Sequence, residues 1–197
     1  RVLSQTYSNY EIIVVDDGST DRTSEPAQVM YEDGYHVKVV TYSPNYGKGY
    51  ALLRGFEYST GEIIVFLDAD LDLPPQQIWK LYEVMQSTNA DVVIGCKHHP
   101  DSKLEYPWHR QILSAGYYAM VRFLFGLPLR DTQTGLKLFR REVLARVYPR
   151  VRIHGFAYDL ELLIAALRFG YRIAEIPVQV IFHDRQKTGR IGLQTAI

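Results

Sequence analysis

Three acids stand at alternate positions directly after an apolar run: Glu62-Ile63-Ile64-Val65-Phe66-Leu67 leads into Asp68-Ala69-Asp70-Leu71-Asp72, and Leu73-Pro74-Pro75 follows. In extended chain, alternate side chains point the same way. Asp68, Asp70 and Asp72 are therefore expected on one side. Crowded carboxylates raise one another's pKa unless a cation sits among them. Oxygen ligands without His or Cys suit Mg²⁺ or Mn²⁺, usually completed by substrate phosphates. The expected metal set is Asp68, Asp70 and Asp72. The plainer reading makes Asp70 and Asp72 turn residues ahead of Pro74, and Asp68 a helix cap. The apolar strand in front and the Pro-Pro behind favour the metal.

The elements that must position these acids can be read outward from them. Ile63 to Leu67 has no polar face, the pattern of a strand buried on both sides in a parallel sheet. Ligands of open α/β sheets bind beyond the carboxyl ends of such strands. The same arrangement recurs upstream. Glu11 to Val15 runs into Asp16-Asp17-Gly18-Ser19-Thr20, which reads as strand, acidic turn and helix, with Pro26 early in the helix. His36 to Tyr42 is a second strand. Asn45-Tyr46-Gly47-Lys48-Gly49-Tyr50-Ala51 then opens a helix reaching about Tyr58. Two glycines and Lys48 at a helix start predict phosphate reception through backbone N–H groups. The glycine spacing is not that of a P-loop. A helix over 75–87 with Ile78, Leu81, Tyr82 and Met85 on one face precedes a buried strand over 90–96. Alternating strands and helices predict a parallel, doubly wound sheet.

After Cys96 the character changes. Lys97-His98-His99-Pro100-Asp101 is a polar loop, and 107–125 an aromatic helix on which Arg110 and Ser114 share a face. Asp131-Thr132-Gln133-Thr134-Gly135, a strand over 136–139 and a helix over 141–147 follow. A helix over 158–169 carries Asp159 and Glu161 near its start. Residues 171–182 read as a strand with Pro177 at an edge or bulge. A basic tail holds Arg185, Lys187 and Arg190.

The totals narrow the classes. With 197 residues, 47% hydrophobic and 22% charged, the chain can bury a sizeable α/β core. Lys+Arg and Asp+Glu are both 22, a balance that argues against broad nucleic-acid binding. The single Cys96 precludes an internal disulfide framework and fits a reducing, cytoplasmic setting. No apolar run approaches the ~18 residues of a membrane span. His98, His99, His154 and His183 lack metal-ligand spacing.

Taken in order, Tyr7-Ser8-Asn9-Tyr10-Glu11-Ile12-Ile13-Val14-Val15-Asp16-Asp17-Gly18-Ser19-Thr20-Asp21, Asn45 to Ala51, the Asp68/Asp70/Asp72 segment and Asp131-Thr132-Gln133-Thr134-Gly135 resemble family 2 glycosyltransferases of GT-A fold. The branch most resembled includes dolichyl- and polyprenyl-phosphate mannose or glucose synthases. The resemblance implies one α/β domain: a mostly parallel, Rossmann-like sheet flanked by helices, with a mixed C-terminal part. Residues 1–96 would bind the nucleotide-sugar and 97–197 the acceptor. It implies that Asp16 and Asp17 face the base and ribose, that Asp68 and Asp70 hold Mg²⁺ or Mn²⁺ on the donor diphosphate, and that Asp72 adds a further metal or donor contact. Lys97, Arg110 and Ser114 would hold the acceptor phosphate, and Arg185 and Lys187 would close on the donor diphosphate. Lys48 on the donor side, and Asp131 and Gln133 on the acceptor side, complete the expected site.

The implied reaction is metal-dependent, inverting transfer of a hexose to a polyprenyl (dolichyl-type) phosphate, carried chiefly by Asp70, Arg110 and Arg185. The setting would be cytoplasmic, at the cytoplasmic face of a membrane. If the acceptor were instead a glycan hydroxyl, as in polysaccharide synthesis, a base would be needed, with Asp159 or Glu161 the candidate. An inactive nucleotide-binding homologue is the other alternative, because family members open on a strand with a Pro-x-Tyr-Asn-Glu-like end and the chain is expected to lack that first β-strand. A phosphoacceptor receiver module also places acids after its first and third strands. It would leave Asp70, Asp72, Arg110 and the C-terminal third unused.

Overall fold

A computed structural model describes residues 9–21, 23–33, 35–105, 116, 120–123, 125–155 and 157–181. Eight strands are labelled in chain order: β1 (Ile12–Asp17), β2 (Val37–Tyr42), β3 (Ile63–Phe66), β4 (Val92–Cys96), β5 (Lys103–Glu105), β6 (Lys137–Arg140), β7 (Ile173–Pro177) and β8 (Gln179–Ile181). The helices are α1 (Glu25–Glu32), α2 (Lys48–Tyr58), α3 (Ile78–Thr88), α4 (Arg141–Val147) and α5 (Tyr158–Arg168). Residues 120–123 are also helical. They fall in the stretch where the sequence predicts an aromatic helix, most of which lies outside the described residues.

The expected alternation of strands and helices holds through β4. β1 and β2 pair in parallel, with Ile12 opposite Val37 and Asp17 opposite Tyr42. The four-stranded sheet has the order β3-β6-β4-β7. β6 enters it antiparallel between β3 and β4, while β4 and β7 run parallel. The sheet therefore draws strands from both halves of the chain, and its mixed character comes from β6. The single strand expected over 171–182 is two. Pro177 lacks the N–H a ladder needs, and the chain changes partners there: β7 pairs with β4, and β8 with β5.

Period-2 alternation sorts the core onto two faces. Ile64, Phe66, Val92, Ile94 and Phe139 pack against Val143, Leu144 and Val147 of α4 and Leu162, Leu163 and Ala166 of α5. On the opposite face, Val93 and Leu138 meet Ile78, Leu81 and Met85 of α3. α3 stops at Asn89, which takes the left-handed conformation common at helix ends (φ 50°). Burying each large side chain contributes about 1.5–3 kcal/mol. Glu11, at the foot of β1, fixes the chain's return into β3. Its Oε1 accepts the Thr60 and Gly61 N–H groups at 2.6 and 3.1 Å, and its Oε2 accepts Lys38 Nζ at 2.9 Å.

Candidate active site

β3 ends at Phe66, so Asp68, Asp70 and Asp72 lie beyond the extended chain in a tight turn. Leu71 has φ 59°, and its N–H reaches back to the Asp68 carbonyl at 3.3 Å. The same-side rule for alternate residues applies only to extended backbone, which stops before these three acids. Among the described residues no three His, Cys, Asp or Glu side chains gather into a metal cage. Asp70 Oδ1 instead accepts the Asp72 N–H at 3.2 Å, closing the turn. The Asp72 carbonyl accepts the Ile181 N–H at 2.8 Å, tying the turn to β8.

Asp68 is where the charges meet. Its Oδ1 lies 2.7 Å from Lys48 Nζ, and both side chains are about two-fifths exposed (40% and 43%). Lys48 also lies 3.9 Å from Asp159 Oδ2, while Asp159 Oδ1 accepts Lys137 Nζ at 2.7 Å. Lys137 is 1% exposed and Asp159 7%. Lys137 also donates to the Thr134 carbonyl. Burial pulls the Lys137 pKa below the ordinary lysine value and Asp159 opposes that pull. Burial works the same way on Lys48, but Asp159 and Asp68 outweigh it and Asp70 adds to them, so its pKa is raised. Asp68 is seated against bare backbone. A Cβ on Gly135 would lie 2.0 Å from Asp68 Oδ2.

The turn before α2 is shaped by β1. Asp17 Oδ1 and Oδ2 accept the Tyr46 and Gly47 N–H groups at 2.8 and 2.9 Å, and Asn45 Nδ2 donates to the Asp17 carbonyl at 2.8 Å. Gly47 has φ 93°, a conformation open to glycine. The Gly49 N–H goes to the His154 carbonyl at 2.8 Å. The amides of Tyr46, Gly47 and Gly49, which the sequence offers to a phosphate, are thus already engaged by the protein. The Lys48 side chain is what this turn projects toward Asp68. Asp16 is buried, and its Oδ1 accepts the Ser19 N–H at 2.9 Å. The Ser19 hydroxyl foremost, with the Ser19 amide and the Ser24 hydroxyl, outweighs burial and holds the Asp16 pKa below the usual carboxylate range. Beside this turn, Tyr42, Tyr46, Tyr50 and His154 form a chain of ring contacts with centroids 4.9–6.0 Å apart.

A second group forms after β4. The Lys97 N–H donates to Asp131 Oδ2 at 2.9 Å, and Lys97 Nζ lies 3.8 Å from the same oxygen. Asp131 Oδ1 accepts the Gln133 N–H at 2.9 Å. The Arg130 and Asp131 amides both donate to Glu175 Oε1. Cys96 beneath them is an inert thiol. Burial, with the Glu175 and Asp131 charges, pushes its pKa up to about 12. Arg110, Ser114, Arg185 and Lys187 lie outside the described residues. Of the acids offered as a base, Asp159 is sequestered between two lysines, and Glu161 Oε2 accepts the Arg152 and Ile153 N–H groups at 3.0 and 2.8 Å. Lys137 and Gly135 carry much of this arrangement and were not singled out from the sequence. The signal available was a lysine inside the apolar run Leu136-Lys137-Leu138-Phe139.

The chain is 36% identical over 179 residues to human dolichyl-phosphate beta-glucosyltransferase, an alignment spanning 86% of this chain and 55% of that protein. It is 37% identical over 161 residues to the dolichol-phosphate mannosyltransferase of Pyrococcus furiosus, covering 79% and 44%. The chain spans about half the length of these relatives. Among solved structures, glucosyl-3-phosphoglycerate synthase of Mycobacterium tuberculosis, in complex with Mn²⁺, UDP-glucose and phosphoglyceric acid, matches with a TM-score of 0.71 at 22% identity, over 99% of this chain and 67% of that one. That likeness shows a shared fold. The Glycosyl transferase family 2 model matches residues 1–148, and the chain belongs to that family.

Proposed function

We propose that the protein transfers a hexose from a nucleotide-sugar to a polyprenyl phosphate with inversion, assisted by a divalent cation. The acceptor class rests first on the relatives, whose names specify dolichyl or dolichol phosphate. One observation in this chain favours it over a sugar hydroxyl. Asp159 and Glu161, the acids that could deprotonate a hydroxyl, are both committed, the first to Lys137 and Lys48, the second to two backbone amides. A phosphate oxyanion is already nucleophilic at neutral pH and needs no such base.

The donor side fits a hard cation. Asp68 offers a carboxylate at a strand end, half open to solvent, in a seat that exists because residue 135 has no Cβ. Asp68 and Asp70 would hold Mg²⁺ or Mn²⁺, which leaves coordination positions for phosphate and water. When bound, it would supply positive charge against that developing on the departing nucleotide diphosphate. Lys48 supplies a fixed positive charge beside the same carboxylate, and Arg185 and Lys187 are assigned to the diphosphate with it. Asp16 and Asp17 set the base and ribose end, Asp17 by shaping the 45–49 turn. Lys97, held by Asp131, is assigned to the acceptor phosphate with Arg110, Ser114 and Gln133. The acceptor's prenyl chain would bring this side to a membrane face. No helix among the described residues is long and apolar enough to cross one.

The test assays UDP- and GDP-hexoses with a polyprenyl phosphate, with and without Mn²⁺. Metal-dependent transfer is expected, and Asp70→Ala should abolish it while the thermal melt stays unchanged. Transfer retained in the folded Asp70→Ala protein refutes the metal role. Transfer to a sugar hydroxyl but not to the lipid phosphate refutes the acceptor.

A further inference from the structure

A buried ammonium and carboxylate that serve only packing are poorly explained. Taking two charges out of water costs several kcal/mol per ion, and an apolar pair of similar volume is often as stable or more so. Lys137 and Asp159 are nevertheless both buried, and Lys137 alternates onto the same face of β6 as Phe139, the face that α5 covers. What sets them apart from packing residues is where their remaining contacts lead. Lys137 uses one carboxylate oxygen of Asp159, and the other faces Lys48, which grips Asp68. Lys137 also donates to the Thr134 carbonyl, one residue before the Gly135 backbone that seats the Asp68 carboxylate. A single buried ammonium thus reaches Asp68 by two routes. One runs through α5 and Lys48, the other through the 131–135 loop.

Resting on the donor-site reading above, we infer that Asp159, fixed by Lys137, is a positioning residue that aims Lys48 at the donor diphosphate. With Lys48 bound to Asp68 alone, a cation arriving on that carboxylate would leave the ammonium without an anionic anchor. Asp159 Oδ2, 3.9 Å away and immobilised from behind, supplies that second anchor. Lys48 can then turn toward phosphate without leaving the site. Asp159 touches neither donor nor acceptor in this scheme and acts through Lys48.

The test is a double-mutant cycle on binding, read by calorimetry with UDP and Mn²⁺ and, in parallel, GDP and Mn²⁺. The proteins are the parent, Lys48→Gln, Asp159→Asn and the double variant. Each is checked by thermal melting. Lys48→Gln is expected to weaken nucleotide binding at least tenfold, Asp159→Asn by a comparable factor, and the double variant no further than Lys48→Gln. A merely structural Asp159 would lower the melting temperature but leave its effect on affinity independent of residue 48. Effects that multiply, or an Asp159→Asn protein with parental affinity, overturn the inference. Should Asp159→Asn fail to fold, the volume-matched pair Lys137→Met/Asp159→Leu replaces it in the cycle, with the same two outcomes. No loss of affinity on Lys48→Gln, or no nucleotide binding by the parent, sinks the donor-site reading and the inference with it. A failed cycle with Lys48 still essential leaves the donor-site reading standing.

Discussion

Gly135→Ala probes the seat of Asp68 with one methyl group. The added Cβ would lie 2.0 Å from Asp68 Oδ2 and 2.4 Å from its Cγ, whereas real Cβ contacts essentially never fall below 3.0 Å. The carboxylate must therefore retreat by at least about 1 Å. Residue 135 is not among the positive-φ positions, so the backbone accepts alanine and the strain falls on the contact. Asp68 is half exposed and can swing outward, which keeps the folding cost near 1 kcal/mol, at the low end for overpacking. The swing breaks the 2.7 Å contact with Lys48 and moves the carboxylate proposed to hold the metal. A displacement of ~1 Å in a catalytic constellation costs roughly 10²-fold, or about 2.7 kcal/mol of transition-state stabilisation. The expected result is a folded protein whose melting temperature falls by only a few degrees, with kcat/KM down about a hundredfold and weaker binding of Mn²⁺ with nucleotide. Calorimetry and a donor-consumption assay on the same sample decide it. A folded Gly135→Ala protein with parental metal–nucleotide affinity refutes the role given to the Asp68 seat.

Three further outcomes follow from the same geometry. Lys137→Met should lower stability by about 3–5 kcal/mol, because it strands a buried carboxylate, and Lys137→Met/Asp159→Leu should recover most of that in denaturant melts. Gly49→Ala puts a Cβ 2.7 Å from the buried Tyr158 ring, and overpacking between α2 and α5 should cost about 1–3 kcal/mol by the same measurement. Burial opposes the charge on Glu11, but hydrogen bonds from Lys38 and Thr60 outweigh it and lower its pKa from 4.5 to about 2. A depressed carboxylate contributes stability that is whole above its unfolded pKa and is lost as pH falls through the folded one. Parental stability should therefore drop by about 1–2 kcal/mol between pH 4.5 and 2, after allowance for solvent screening. Glu11→Gln should remove that part of the slope, and an unchanged slope in acid melts would count against the anchor.

What could be read from the sequence was local. The apolar run before Asp68 states a buried strand in its own residues, and Gly47 and Gly49 state a tight helix entry. Asp68 and Lys48 were legible as a charged pair of motifs for that reason. The alternation argument does not extend to Asp70 and Asp72, because it presumes extended chain and the strand stops at Phe66. Asp17 was legible as an acid at a strand end. Its actual partners are amides 29 and 30 residues later, and no local pattern announces them. The pairing of Lys137 was hidden for the same reason: its carboxylate partner stands 22 residues on, and its burial is decided by how β6 enters the sheet.

That entry of β6 also explains why the 131–135 loop has the residues it has. The loop leads into a strand wedged between β3 and β4, so it must pass between the acid at the end of β3 and the lysine after β4. At one end Asp131 is an acid because it must accept the Lys97 N–H and stand beside its ammonium. At the other end Gly135 is bare because the Asp68 carboxylate occupies the space of a side chain. Between them the Thr134 carbonyl is pinned by Lys137. The groups proposed for donor and acceptor are therefore fixed to one short piece of backbone, and their separation is set by that loop rather than by the packing of two independent halves. A change that loosens Lys137 should consequently disturb both sides together, whereas a change at Lys97 should leave Asp68 in place.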